Sequence, residues 1–298
     1  MSIFKHYQSR YDETQEERFS IQEFLDICKK DKFAYASASE RLLHAIGEPE
    51  MIDTSTEPTL SRIFSNRVIS RYPAFREFYG MEEAIEQIVS YLTHASQGLE
   101  EQKQILYLLG PVGGGKSSLA EKLKALMEKD PIYVLSANGE RSPVNDHPFC
   151  LFDKNADGKI LKDEYGIPER YLSSIISPWA AKRLQEFKGD IAKFEVVKVY
   201  PSILNQIAIA KTEPGDDNNQ DISSLVGKVD IRQLEHFAQN DPDAYSYSGA
   251  LCRANQGVME FVEMFKAPIK VLHPLLTATQ EGNYNPTEGL SALPFNGI

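Results

Sequence analysis

Two spacings of apolar residues alternate along this chain. Ile21, Phe24, Leu25 and Cys28 recur at intervals of three and four, which places them on one face of a helix. Ser20 stands before them and Glu23 three residues on, a capping box for the helix start. A second short helix is predicted over 39–46, stopped by Gly47. Residues 49–58 read as a linker. An amphipathic helix follows over 81–93, with Ala84, Ile85, Ile88, Val89 and Leu92 on its stripe.

Short apolar runs with strand character then interleave with helical spacing. The strands are predicted over 104–109, 132–135, 194–200 and 257–262. Between them come helices over 117–129, 169–187 and 223–239, the middle one bent at Ser177-Pro178. Residues 214–219 read as a loop. Strands alternating with helices predict an α/β fold with a parallel sheet covered on both faces. A small helical region over 1–75 precedes this core, which occupies 76–298.

The first strand and the helix that follows it enclose Gly110-Pro111-Val112-Gly113-Gly114-Gly115-Lys116-Ser117. This fits the phosphate-loop template at every fixed position, in the strand–loop–helix context that the template requires. Glycines let the backbone wrap a polyphosphate without side chains in the way. Their N–H groups, with those of Ser117 and Ser118 opening the helix, point at the anion. Lys116 reaches the β- and γ-phosphates, and the Ser117 hydroxyl can ligate Mg²⁺. ATP and Mg²⁺ are the expected ligands, in a three-layer αβα core of the P-loop type.

Composition bounds the alternatives. With 298 residues, 42% hydrophobic and 25% charged, the chain is an ordinary globular protein able to bury a sizeable core. A net charge of −11 argues against non-specific nucleic-acid binding. Cys28, Cys150 and Cys252 are scattered singly, which suggests neither a zinc ribbon nor a disulfide framework. The first ten residues lack the apolar core of a signal peptide. No stretch approaches the roughly 20 apolar residues needed to cross a membrane, so a cytoplasmic protein is expected.

A nucleotide site of this type usually has a second, acidic element on a neighbouring strand. Arg253-Ala-Asn-Gln-Gly-Val-Met-Glu-Phe-Val-Glu-Met264 is the candidate. It resembles the segment of AAA+ ATPases in which an R-A-N-x-G run leads into a strand ending in Asp-Glu. Glu263 falls at the Glu, and is the expected water-orienting residue. Val262 falls where the Asp should be. Mg²⁺ is then held by Ser117 and phosphates alone, or with help from Glu260 or Glu263, which alternation places on opposite sides of the strand.

The ordered set is narrower still. Phe78-Tyr-Gly-Met-Glu-Glu83, the phosphate loop, Ser177-Pro-Trp-Ala180, Gly249-Ala-Leu-Cys-Arg-Ala-Asn255 and Leu275-Leu-Thr-Ala-Thr-Gln-Glu-Gly-Asn-Tyr284 together resemble the amino-terminal AAA+ module of the PrkA-type bacterial serine protein kinases. The resemblance runs over about 15–298. It implies an ATP-binding module joined to a kinase-related region, with Tyr79 and Gly80 in the segment that lines the adenine. It also implies a polar sensor strand beginning near Gly297-Ile298, and a site of the kind commonly completed by an arginine from a neighbouring subunit, which a homo-oligomer would supply; the oligomeric state itself is not legible. On that reading the chain stops before the sensor strand.

The residues themselves carry no H-R-D loop and no D-F-G. Three readings stay open: a PrkA-type kinase module, a nucleotide-gated assembly module that does not hydrolyse, and an AAA+ remodelling ATPase or ATP-dependent protease. The protein partner is not legible. One motif stands apart. Asp153, Asn155, Asp157, Gly158 and Glu164 fit the EF-hand calcium loop in full. The prolines at 148 and 168 argue for an Asp/Asn/Gly surface turn instead.

Overall fold

The computed structural model describes residues 3–5, 15–172, 175–213, 222–286 and 289–298. Strand β1 (Glu17–Ser20) runs into α1 (Ile21–Lys30), and α2 (Ala38–Ile46) follows. Both helices start with capping boxes, Ser20 with Glu23 and Ser37 with Glu40. The hairpin of β2 (Glu50–Asp53) and β3 (Val68–Arg71) encloses α3 (Pro58–Phe64), where a linker was expected. Helices α4 (Glu82–Ser96) and α5 (Lys116–Met127) flank the glycine loop.

Beyond it come β4 (Ile132–Ala137), β5 (Glu140–Arg141), α6 (Lys154–Tyr165), α7 (Pro178–Glu186), β6 (Glu195–Val199) and β7 (Ile209–Thr212). Short elements follow: α8 (Ser223–Val226), β8 (Lys228–Val229), β9 (Tyr245–Ser246) and α9 (Ala250–Ala254). The described chain closes with β10 (Val258–Phe261), α10 (Ile269–Glu281), β11 (Asn283–Tyr284) and β12 (Leu293–Pro294).

The fold is mixed α/β, and among the described residues the predicted parallel pairing is confined to β7 and β10, with Ile209 opposite Val258. The larger sheet has the order β1-β6-β4-β5 and is antiparallel throughout. Strands 132–135 and 194–200 exist as expected but run against each other, Leu135 opposite Val196. Their apolar runs are buried, and a buried run carries no mark of strand direction.

Two predicted helices are shorter than their apolar spacing implied. Ser177 is the N-cap of α7 and Pro178 its first residue, so this pair starts a helix and does not bend one. Helix α8 ends at Val226 because Gly227 has φ 90° and a Cβ there would stand 2.5 Å from the Ser246 carbonyl. Val229 then pairs with Tyr245. The expected loop at 214–219 lies outside the described residues.

The three largest apolar clusters among the described residues hold most of these elements together. Phe24, Tyr133, Phe149 and Phe194 pack α1 and the region of α6 and α7 onto the antiparallel sheet. Leu42, Leu92, Leu119 and Met127 join α2, α4 and α5, with Ile209 of β7 against them. Leu251, Leu275, Tyr284 and Phe295 close α9 and α10 over the other side. Each fully buried side chain of this size contributes on the order of 2 kcal/mol. Residues 17–46 join the larger sheet through β1 on β6, and join the cluster of the glycine loop's helix through Leu42 with Leu119.

Candidate functional site

The glycine loop sits at the amino end of α5 and is shaped by backbone that only glycine adopts easily. Gly113 and Gly115 have φ of 78° and 77°. The Gly114 N–H donates to the Pro111 carbonyl at 3.2 Å. A Cβ on Gly114 would stand 3.1 Å from that same oxygen, and one on Gly115 would stand 3.0 Å from Met81 Sδ. Helix α5 has Gly115 at its N-cap position and no side-chain cap. Its first N–H groups are therefore open to an anion.

Lys116 Nζ donates to the carbonyls of Gly110 and Pro111, both at 2.7 Å. The ammonium is thus held over the mouth of its own loop. Ser117 and Ser118 are exposed beside it. Tyr79 is 83% exposed, and Gly80 has φ 76° just before Met81, the N-cap of α4. Sequence reasoning missed Met81, whose sulfur packs on Gly115 and ties α4 to the loop.

A cleft of about 820 Å³ opens from this loop. One wall is Gln104 to Leu109 and the other is Val258 to Lys266. The strand expected over 104–109 is extended but unpaired. Among the described residues the backbone of 105–109 makes no hydrogen bond. The opposite wall is partly covered: Ile298 donates to Gly257 and accepts from Met259, both at 2.8 Å. Tyr107 and Phe265 touch edge-to-face across the cleft at 5.2 Å.

The acidic side is legible in β10. Val258 packs with the α4–α5 cluster, and Met259 and Phe261 pack on the opposite one. Glu260 shares the Val258 face and meets Lys124 of α5 at 2.6 Å. Lys124 also binds Glu121 at 2.7 Å and is 2% exposed. Burial would lower its pKa, but hydrogen bonds to Glu121 and Glu260 outweigh that and the net shift is upward. Glu260 is therefore committed to Lys124, two helical turns from Lys116. Val262 leaves its position without an acceptor. Glu263 stands at the strand's end, pairs with Lys266 at 2.7 Å, and lines the cleft with Lys116 and Ser117.

The Arg-Ala-Asn run has a scaffolding role. Asn255 is buried and donates to the Val144 carbonyl at 2.8 Å, while its oxygen accepts from the N–H of Asn296 at 2.8 Å. Gln256 bonds the carbonyls of Tyr133 and Asn145. Arg41 of α2 reaches the Gln256 carbonyl. These bonds fix the approach to β10 from three directions.

The calcium-loop residues are not brought together. Asp153 is the N-cap of α6, accepting from the N–H groups of Asn155 and Ala156 at 2.8 Å each. Asp157 accepts from the Asp153 N–H, and Gly158, needed for a sharp turn in a calcium loop, is buried inside the helix. Asn155, Asp157 and Glu164 then project around a helix and cannot converge on one ion. Among the described residues no group of three His, Cys, Asp or Glu side chains could hold a metal. The surface-turn reading fails for the same reason: the capped segment continues as twelve residues of helix.

Residues 19–298 match the PrkA AAA domain. The chain belongs to that family. It is 78% identical over its whole length to a protein of Escherichia coli strain K12 named serine/threonine kinase YeaG, of which it covers 46%. It is 32% identical over 295 residues to ATP-dependent protease PrkA of Bacillus subtilis strain 168, covering 44% of that protein. The chain thus spans less than half the length of these relatives. No solved structure matches it. Among the described residues no helix is long and apolar enough to cross a membrane.

Proposed function

We propose that the chain is the ATP-binding AAA+ module of a PrkA-type serine/threonine kinase, built on a three-layer αβα P-loop core. The observation that carries the reading is the state of the loop. Lys116 lies over two loop carbonyls, next to the uncapped N–H groups of α5. The residues suit magnesium–ATP: glycines at 113–115 leave room for phosphate, and the exposed Ser117 hydroxyl is a ligand for Mg²⁺. Bound Mg²⁺ would neutralise phosphate charge. The residues of the loop bind and orient the polyphosphate. Tyr79 and Gly80 precede Met81, which meets the loop at Gly115, and are the residues proposed to meet the base although they lie outside the lining of the cleft. Glu263 is the carboxylate available to orient water, because Glu260 is occupied by Lys124.

A second reading draws on Val262. Without an acidic side chain at that position, the module binds nucleotide tightly and hydrolyses it slowly, acting as a nucleotide-gated element. The alternative of an AAA+ remodelling ATPase or protease shares the same nucleotide site. Isothermal titration with magnesium–ATP tests binding, with Lys116→Ala as the control. Absence of saturable binding by the unmodified chain would end the proposal.

A further inference from the structure

Glu263 has a backbone conformation that a strand end does not require. Its φ and ψ are 51° and 43°, the left-handed region. Side chains carrying a Cβ enter that region at a cost, and such residues cluster at functional sites. Extended backbone at 263 would continue the alternation of β10 and place the carboxylate on the face of Met259 and Phe261, against the α10 cluster. The left-handed turn ends the strand and puts Glu263 in the cleft wall with Lys116 and Ser117.

The same turn brings Lys266 round. The Lys266 N–H donates to the Glu263 carbonyl at 2.9 Å, and Lys266 Nζ meets Glu263 Oε2 at 2.7 Å. The two side chains are 65% and 50% exposed, at the lip of the cleft. Two of the lysines that line the cleft thus have partners of different kinds: Lys116 on carbonyls, Lys266 on the carboxylate.

We propose that Lys266 is a positioning residue for Glu263, a latch that holds the carboxylate at the lip and withholds it from the metal shell of a bound nucleotide. The inference rests on Glu263 being the acidic group of the nucleotide site. An exposed pair is weak and is screened by salt, so the latch is set to open when a stronger partner arrives. Its removal frees the carboxylate without disturbing the fold, since neither side chain is buried.

The readout is the Mg²⁺-dependent gain in affinity for an ATP analogue with a non-hydrolysable β–γ bridge. It is measured by calorimetry with and without Mg²⁺, so it does not need turnover. Lys266→Met is expected to raise that gain roughly two- to fivefold, the range that breaking an exposed pair can release. Lys266→Arg keeps the pair and leaves the gain unchanged. Glu263→Gln lowers the gain, and adding Lys266→Met to it has no further effect. High salt shrinks the difference between the unmodified chain and Lys266→Met. If Glu263→Gln leaves the gain intact, the role of Glu263 itself is wrong. If Glu263→Gln lowers the gain but Lys266→Met equals the unmodified chain, the latch is wrong and the role of Glu263 stands.

Discussion

Replacing Lys116 with alanine deletes the ammonium that bridges the Gly110 and Pro111 carbonyls, each at 2.7 Å. Both carbonyl-bearing residues are exposed, so water takes the lysine's place and folding changes by about 0.5 kcal/mol or less. Binding changes far more. A hydrogen bond with a charged partner is worth about 1.5–3 kcal/mol. On nucleotide binding the ammonium trades neutral carbonyls for anionic phosphate oxygens, so only the surplus over its present bonds counts. Two such exchanges leave about 2–4 kcal/mol, or roughly 30- to 700-fold in Kd. Calorimetry with magnesium–ATP measures the loss directly. Thermal melting without ligand checks the fold, and the ATP-induced rise in Tm supplies a second estimate. A Kd within about threefold of the unmodified chain would refute the assignment of the loop. So would an unliganded Tm lowered by about 10 °C, which would mean that the lysine supports the fold.

Three further outcomes are expected. Asp146 is pushed up to about 6 by burial, against hydrogen bonds from Ser177 and Ser142, and His147 is held down at about 3 by burial and then Arg41. The stability that Asp146 contributes is complete below its unfolded value near 4 and is lost as pH rises towards 6. That of His147 is complete above 6.5 and is lost as pH falls towards 3. Each is worth about 3 kcal/mol or more at its limit, and between pH 4 and 6 the slopes oppose. His147→Gln should therefore expose a stability that falls with rising pH in urea titrations, and a curve parallel to the unmodified chain would count against it. Asp153→Ala should cost about 1 kcal/mol through the lost cap of α6, and Ca²⁺ should leave the Tm of the unmodified chain where it was; a Ca²⁺-dependent rise that Asp153→Ala abolishes would restore the calcium loop. The 298-residue chain should bind ATP yet release phosphate negligibly, and Val262→Asp alone should not rescue it, because Glu260 remains tied to the buried Lys124. Lys116-sensitive turnover near about one per second would show the acidic half to be already in place.

What the chain determined locally was legible. The capping box at Ser20 and Glu23, the helices around 39–46 and 81–93, and the strands near 132–135, 194–200 and 257–262 depend on neighbours within a few residues, and they are present. The phosphate loop is local in the same sense, since its glycines and Lys116 act within eight positions. Two local signals were overruled. Apolar spacing over 223–239 met the close approach of Ser246 to Gly227. The calcium template over 153–164 lacks a flank that would hold it open, and Asp153 caps a helix instead.

Only the tertiary structure decided strand direction, because a strand buried on both faces reads the same whether its neighbour runs with it or against it. It alone left 105–109 without a ladder, since a ladder needs a second segment alongside and no feature of one segment supplies it. It alone committed Glu260 to Lys124, residues 136 positions apart by their numbers, and turned Glu263 into the cleft. Composition and spacing place a carboxylate on a strand. Which cation it meets is set by the packing of α5 against β10, and that contact exists only after both have folded.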